Sequence, residues 1–101
     1  MLNQTCKIDR TLKFLGNKWT FLILYTLMDG EKRFKELHYL LDGISPKTLT
    51  ERLRSLEEKE LVARKIYPVI PPKVEYSITS KGKELRGVFN ALDIWSQKYL
   101  D

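Results

Sequence analysis

Cysteine and histidine occur once each, as Cys6 and His38, in a sequence of 101 residues. One cysteine excludes an internal disulfide, and the pair supplies too few ligands of the usual type for a zinc site. No base is arranged with Ser45 by sequence, so nothing beyond composition supports a catalytic triad and no enzyme is expected. No apolar run approaches the roughly 18 residues that a membrane-spanning helix needs. No signal-peptide pattern opens the chain, which with the single thiol sets the expectation of a soluble protein in a reducing cytoplasm, without metal, cofactor or membrane partner. Repeats and low-complexity segments are absent, and the length suits a single domain over 1–101. Acidic side chains are the minority: thirteen Asp and Glu against eighteen Lys and Arg leave a net charge of +5. That balance suits a polyanionic partner.

Gly and Pro punctuate what is present. Ile8, Leu12 and Leu15 recur at helical spacing up to Gly16, a residue that can take the positive φ of a C-cap. From Lys18 to Met28 there is little polar surface, so this second helix should be the buried centre. Phe34, Leu37, His38, Leu40 and Leu41 mark a third helix, on whose face His38 lies, stopped at Asp42-Gly43. Ser45 as N-cap and Pro46 at N1 open a fourth, with Leu49, Leu53 and Leu56 as its apolar stripe to about Lys59. Two helices joined by so short a turn read as a helix-turn-helix. After Leu61 the period becomes that of strands, over Val62 to Tyr67 and again over Val74 to Ile78. The intervening Pro68-Val69-Ile70-Pro71-Pro72 has few backbone donors and should project as a stiff loop. Thr79 then caps a last helix carrying Leu85, Val88, Phe89, Leu92, Trp95 and Tyr99 along one stripe. The expected architecture is mainly α with a small β-hairpin wing, a winged helix-turn-helix.

At about 100° per residue, the fourth helix turns Lys47, Glu51, Arg54 and Glu58 away from its leucines, flanked by Thr48, Thr50 and Ser55. Lys47, Arg52 and Arg54 occupy its first part while Glu57, Glu58 and Glu60 crowd its end. The helix macrodipole favours the reverse order by roughly 0.3 to 1 kcal/mol per charge. A solvated charged face explains this as well as an outside partner does. The hairpin alters that balance, because Arg64, Lys65 and Lys73 make a basic wing beside the helix. Double-stranded DNA fits both: recognition helices enter the major groove by their N-terminal residues, and wing cations meet phosphates. The candidate DNA-binding set is therefore Ser45, Pro46, Lys47, Thr48, Thr50, Arg52, Arg54, Lys65 and Lys73.

Several stretches together resemble the HxlR-type regulators, a branch of the MarR-like winged-helix proteins. They are Cys6, Gly16-Asn17-Lys18-Trp19, Arg33-Phe34-Lys35-Glu36-Leu37, Gly43-Ile44-Ser45-Pro46-Lys47-Thr48-Leu49-Thr50, Arg52 to Glu57, Tyr67-Pro68 with Pro71-Pro72, Val74-Glu75-Tyr76-Ser77, and Thr79 with Gly82. The resemblance implies a transcriptional regulator acting as a homodimer on palindromic operators and joined largely through its first and last helices. Ile8, Leu12, Phe89, Leu92, Trp95 and Tyr99 are then the expected dimer interface. Independently, Trp95 and Tyr99 run further along the last helix than the core of so short a chain requires. Phe89, Leu92 and Trp95 also suit a ligand pocket between helices, but a stripe at this spacing is more often core or interface.

The resemblance further implies sensing through Cys6 in some members, with a redox, electrophile or small-molecule effector. Lys7 and Arg10 nearby favour the thiolate such chemistry needs. The bland alternative is a small apolar residue at a frayed end. For the whole chain, the competing function is a winged-helix protein–protein interaction module whose positive charge is incidental.

Overall fold

The computed structural model describes residues 7–100, so Cys6 and the expectation attached to it lie outside the described residues. The elements are α1 (Lys7–Leu15), α2 (Lys18–Leu27), α3 (Phe34–Leu40), α4 (Pro46–Glu58), β1 (Val62–Tyr67), β2 (Lys73–Ile78), α5 (Ser80–Lys83) and α6 (Arg86–Tyr99). This is a mainly α winged helix-turn-helix with one departure from the sequence reading, because the last helix is in two pieces. Thr79 does act as a cap, its Oγ1 accepting from the Gly82 N–H at 3.1 Å. Gly82 lies so close to the base of the hairpin that a Cβ would fall 2.6 Å from Ile78 Cγ1 and 2.7 Å from the Leu61 carbonyl oxygen. That approach fixes α5 against the strands. α6 is held elsewhere, through Phe89, whose ring meets Phe21 edge-on at 4.6 Å and Tyr25 at 5.7 Å. The chain joins the two attachments by a tight turn in which Leu85 N–H donates to Gly82 O.

α2 is the centre of the core, as its composition requires. Ile23, Leu24 and Leu27 are wholly buried, and Asn17 caps the helix by accepting from the N–H groups of Trp19 and Thr20 at 2.9 and 3.1 Å. Around it pack Leu37, Leu41 and Ile44 from α3 and the turn, the α4 leucines, and Leu61, Val62, Ile78 and Phe89. Gly16 ends α1, as read from the sequence, without using the positive φ open to a glycine. A side chain is excluded there instead by the Leu12 carbonyl oxygen, which a Cβ would strike.

Ser45 caps α4 by accepting from the Thr48 N–H at 3.1 Å, with Pro46 in the first turn. The far end closes in a Schellman arrangement, Leu61 N–H to Leu56 O and Glu60 N–H to Glu57 O, both at 3.0 Å. The residue that turns there is Glu60, at φ 61. β1 and β2 pair antiparallel from Val62↔Ile78 to Tyr67↔Lys73, which leaves residues 68–72 as the projecting loop. Lys32 joins the sheet by a single bridge to Tyr76, with backbone bonds of 2.9 and 2.8 Å. The start of α3 is thereby tied to the wing. Lys32 was not read as sheet, since one bridging residue carries no alternation.

Candidate nucleic-acid interface

α4 buries Leu49, Leu53 and Leu56 and exposes Lys47, Glu51, Arg54 and Glu58, the division expected from its periodicity. Among the described residues, neither Lys47 nor Arg54 has an ion-pair partner. Their charge is therefore presented to solvent, that of Lys47 in the first turn, where the helix dipole opposes it, and that of Arg54 past the middle of the helix. The other end of the helix is compensated in part. Glu57 pairs with Arg64 of the wing at 3.4 Å, and the α4 C-terminal carbonyls of Lys59 and Glu60 accept from Lys81 Nζ at 2.9 Å and Thr79 Oγ1 at 2.7 Å. The reversed charge order of the helix is thus answered within the chain at one end only.

The hydroxyls around Lys47 differ in what they have left to offer. Ser45 Oγ accepts from the Thr48 N–H and donates to Thr48 Oγ1 at 3.0 Å, so it serves as a cap. Thr50 donates to Pro46 O at 2.9 Å and keeps only acceptor capacity. Thr48 retains its own proton for an outside acceptor. Pro46 is exposed at the helix start. Arg52 does not join the outward face: it is half-buried and projects about 200° around the helix from Arg54.

The wing places Lys65 and Lys73 on one face, as alternation and the register require, but not as isolated charges. Glu75 sits opposite Lys65, and its carboxylate lies 3.7 Å from Lys73 Nζ. Both ammonium groups lie over the Tyr67 ring, at 4.8 and 5.1 Å from its centre. A hydrogen bond to Glu75 holds the Tyr67 phenol above its ordinary value of 10.0. On the other face Tyr76 is also raised, first by burial and then by the Glu57 carboxylate, with Arg64 and Arg54 opposing.

Other side chains belong to this surface although the apolar stripe of α3 gave no signal for them. Arg33 and Lys35 are exposed at the start of α3, the helix that crosses the backbone in a docked helix-turn-helix. Their basic character was visible; their placement beside the wing depends on the Lys32 bridge. Among the described residues, no group of three His, Cys, Asp or Glu stands together as a metal would need.

A second surface lies on α1 and α6. Ile8, Leu12, Leu92, Trp95 and Tyr99 are all exposed, and Val88 extends the stripe. Phe89 is the exception among the six residues expected at an interface. It is 3% exposed, within the chain's own core, because it is the anchor of α6 on α2. No helix among the described residues is long and apolar enough to cross a membrane.

Comparison with known proteins agrees with this architecture. Residues 14–101 match the family model described as HxlR-like helix-turn-helix. The HTH-type transcriptional regulator YodB of Bacillus subtilis is 41% identical over 102 residues, covering 100% of this chain and 91% of YodB. The reduced form of YodB superposes with a TM-score of 0.83 at 40% identity, covering 98% of this chain and 95% of that one. Quinone-bound YodB gives 0.79 at 38% identity, over 92% and 98% of the two chains. The redox regulator HypR in its oxidized form gives 0.87 at 36% identity, over 95% and 99%.

Proposed function

Since the chain belongs to the HxlR-like helix-turn-helix family, and so is a transcriptional regulator rather than an enzyme, we propose that it is a cytoplasmic homodimer, one domain per chain, that binds palindromic operators in double-stranded DNA. α4 enters the major groove. Lys47, Thr48, Thr50 and Arg54 meet base edges, Ser45 and Pro46 fix the helix start against the backbone, and Arg52 meets a phosphate from the flank. Lys65 and Lys73 contact phosphates from the wing. The observation that carries this reading is a pair of cations without an ion-pair partner among the described residues on the outward face of α4, Lys47 in its first turn and Arg54 two turns further on. A protein–protein module whose positive charge is incidental has no need of a cation held against the helix dipole, as Lys47 is.

Selection of bound duplexes from a random pool tests it. The proposal expects a two-fold symmetric consensus with half-sites about one helical turn, roughly 34 Å, apart. Enrichment of no sequence, or of a single asymmetric site, would contradict it.

Response to oxidants or electrophiles through Cys6 is the second part of the proposal. It is favoured by the quinone-bound form of YodB and the oxidized form of HypR. With one cysteine per chain, any disulfide must join two chains or a chain and a small thiol. Cys6→Ser should bind DNA normally and lose its response to diamide and quinones in a gel-shift assay. An unchanged response would remove Cys6 from the mechanism.

A further inference from the structure

Four cations gather away from the reading half of α4. Lys7 and Arg10 of α1, Lys59 at the end of α4 and Lys81 of α5 rim an open groove of about 510 Å³. Its floor is apolar, made by Phe14, Leu15, Leu61 and Leu85, and among the described residues no carboxylate lines it. Among the described residues none of the four cations makes an ion pair. Lys59 Nζ lies 4.9 Å from the centre of the Phe14 ring, and Lys81 Nζ donates to Lys59 O at 2.9 Å. These contacts bring the positive charges together without neutralising them.

Lys59 is twelve residues beyond Lys47, about 18 Å along a helix, so this charge is remote from the base-reading end. On α1 the groove face of Lys7, Arg10 and Phe14 is also distinct from the exposed apolar face of Ile8 and Leu12. A dimer built on the latter uses a different face of α1 from the groove. A cationic rim over an apolar floor is complementary to a molecule with one charged end, and the volume is that of a small-molecule site. Inorganic anions would leave the floor uncovered, and a neutral hydrophobe would leave the charges unanswered.

We propose that this groove binds an amphipathic organic anion, a carboxylate on an acyl or aromatic body, with the head on the cationic rim and the body on Phe14, Leu61 and Leu85. Calorimetric titration of the full chain with decanoate and with 1-naphthoate tests this and separates the two bodies. At least one acid should bind saturably, and its alcohol and inorganic phosphate should bind at least about tenfold more weakly, as loss of a charge-assisted contact requires. Arg10→Gln combined with Lys59→Gln should weaken the acid at least about tenfold while leaving the salt dependence of DNA binding unchanged. Thr11→Trp, which fills the groove and removes no charge, should abolish binding; if either variant melts early, the other decides. Absence of saturable binding by both acids, binding that survives these variants, or a lowered DNA salt slope in the double variant would overturn the proposal.

Discussion

Glu75 is the residue of the wing that opposes its proposed partner. It faces Lys65 across the hairpin, lies 3.7 Å from Lys73 and holds the Tyr67 phenol up. Glu75→Gln should therefore tighten binding to every duplex alike and steepen its salt dependence, while the Tyr67 phenol falls toward 10.0. Gel shifts over a salt series with an ultraviolet titration check both; weaker binding would show that the carboxylate orders the wing for DNA. Lys65 and Lys73 were legible as wing cations. Their neutralising partner was not, because the residue opposite Lys65 depends on the strand register, which a long proline-containing loop leaves open. Glu60 was illegible for a different reason, since helix ends that need a left-handed residue are recognised by glycine. At φ 61 Glu60 holds a conformation that strains an L residue by roughly 1 to 2 kcal/mol. Glu60→Gly should raise stability by about 1 kcal/mol in denaturant melts, the extra backbone entropy of glycine offsetting part of the relief. A loss of stability would mean that the side chain contributes more than the strain costs.

At the scale of elements, α4 and α6 present contrasting cases. The leucine stripe and the Ser45-Pro46 start of α4 carried nearly everything about its placement, because a cap and a 3.6-residue period are local signals. For α6 the period was equally clear, yet it could not distinguish the residue that anchors the helix from those left exposed. Only Phe89 is buried, although the helix has 14 residues. Isolated helices of this length are marginal in water, so α6 needs another surface. Its exposed stripe of Val88, Leu92, Trp95 and Tyr99 supplies one. Two aromatic variants separate the roles. Phe89→Ala should destabilise the fold itself by about 3 to 5 kcal/mol. Trp95→Ala should leave the melting of the isolated chain nearly unchanged and weaken self-association by about 2 kcal/mol or more, as for a central interface aromatic. Sedimentation of each variant over a concentration range measures this, and wild-type association by Trp95→Ala would move the interface elsewhere.

The whole molecule is extended for its size, with a radius of gyration of 15.0 Å where a compact domain of about 100 residues has roughly 13 Å. Two of its surfaces differ in kind: Lys47, Arg54, Lys65 and Lys73 are carried by α4 and the wing, and the exposed stripe of α6, with Ile8 and Leu12 of α1, is apolar. The first surface suits a polyanion and the second a copy of the same chain. Composition had given the sign of the charge, and helix periodicity its place on α4. The local answers that compensate the α4 C-terminus needed the tertiary structure, since Lys81 and Arg64 approach from other elements. Reading of DNA by Lys47 and Arg54 can be put to a single experiment. Affinity for a selected duplex and for its scrambled counterpart is followed over a salt series, for the wild type and for Lys47→Ala combined with Arg54→Ala. The wild type should lose affinity linearly in log salt, with a slope of about 0.9 per phosphate neutralised, and should prefer the selected duplex. The double variant, at unchanged melting temperature, should lose about 1 to 3 kcal/mol per contact and most of that preference. Binding that is indifferent to salt, or a double variant that keeps both affinity and preference, would contradict the account.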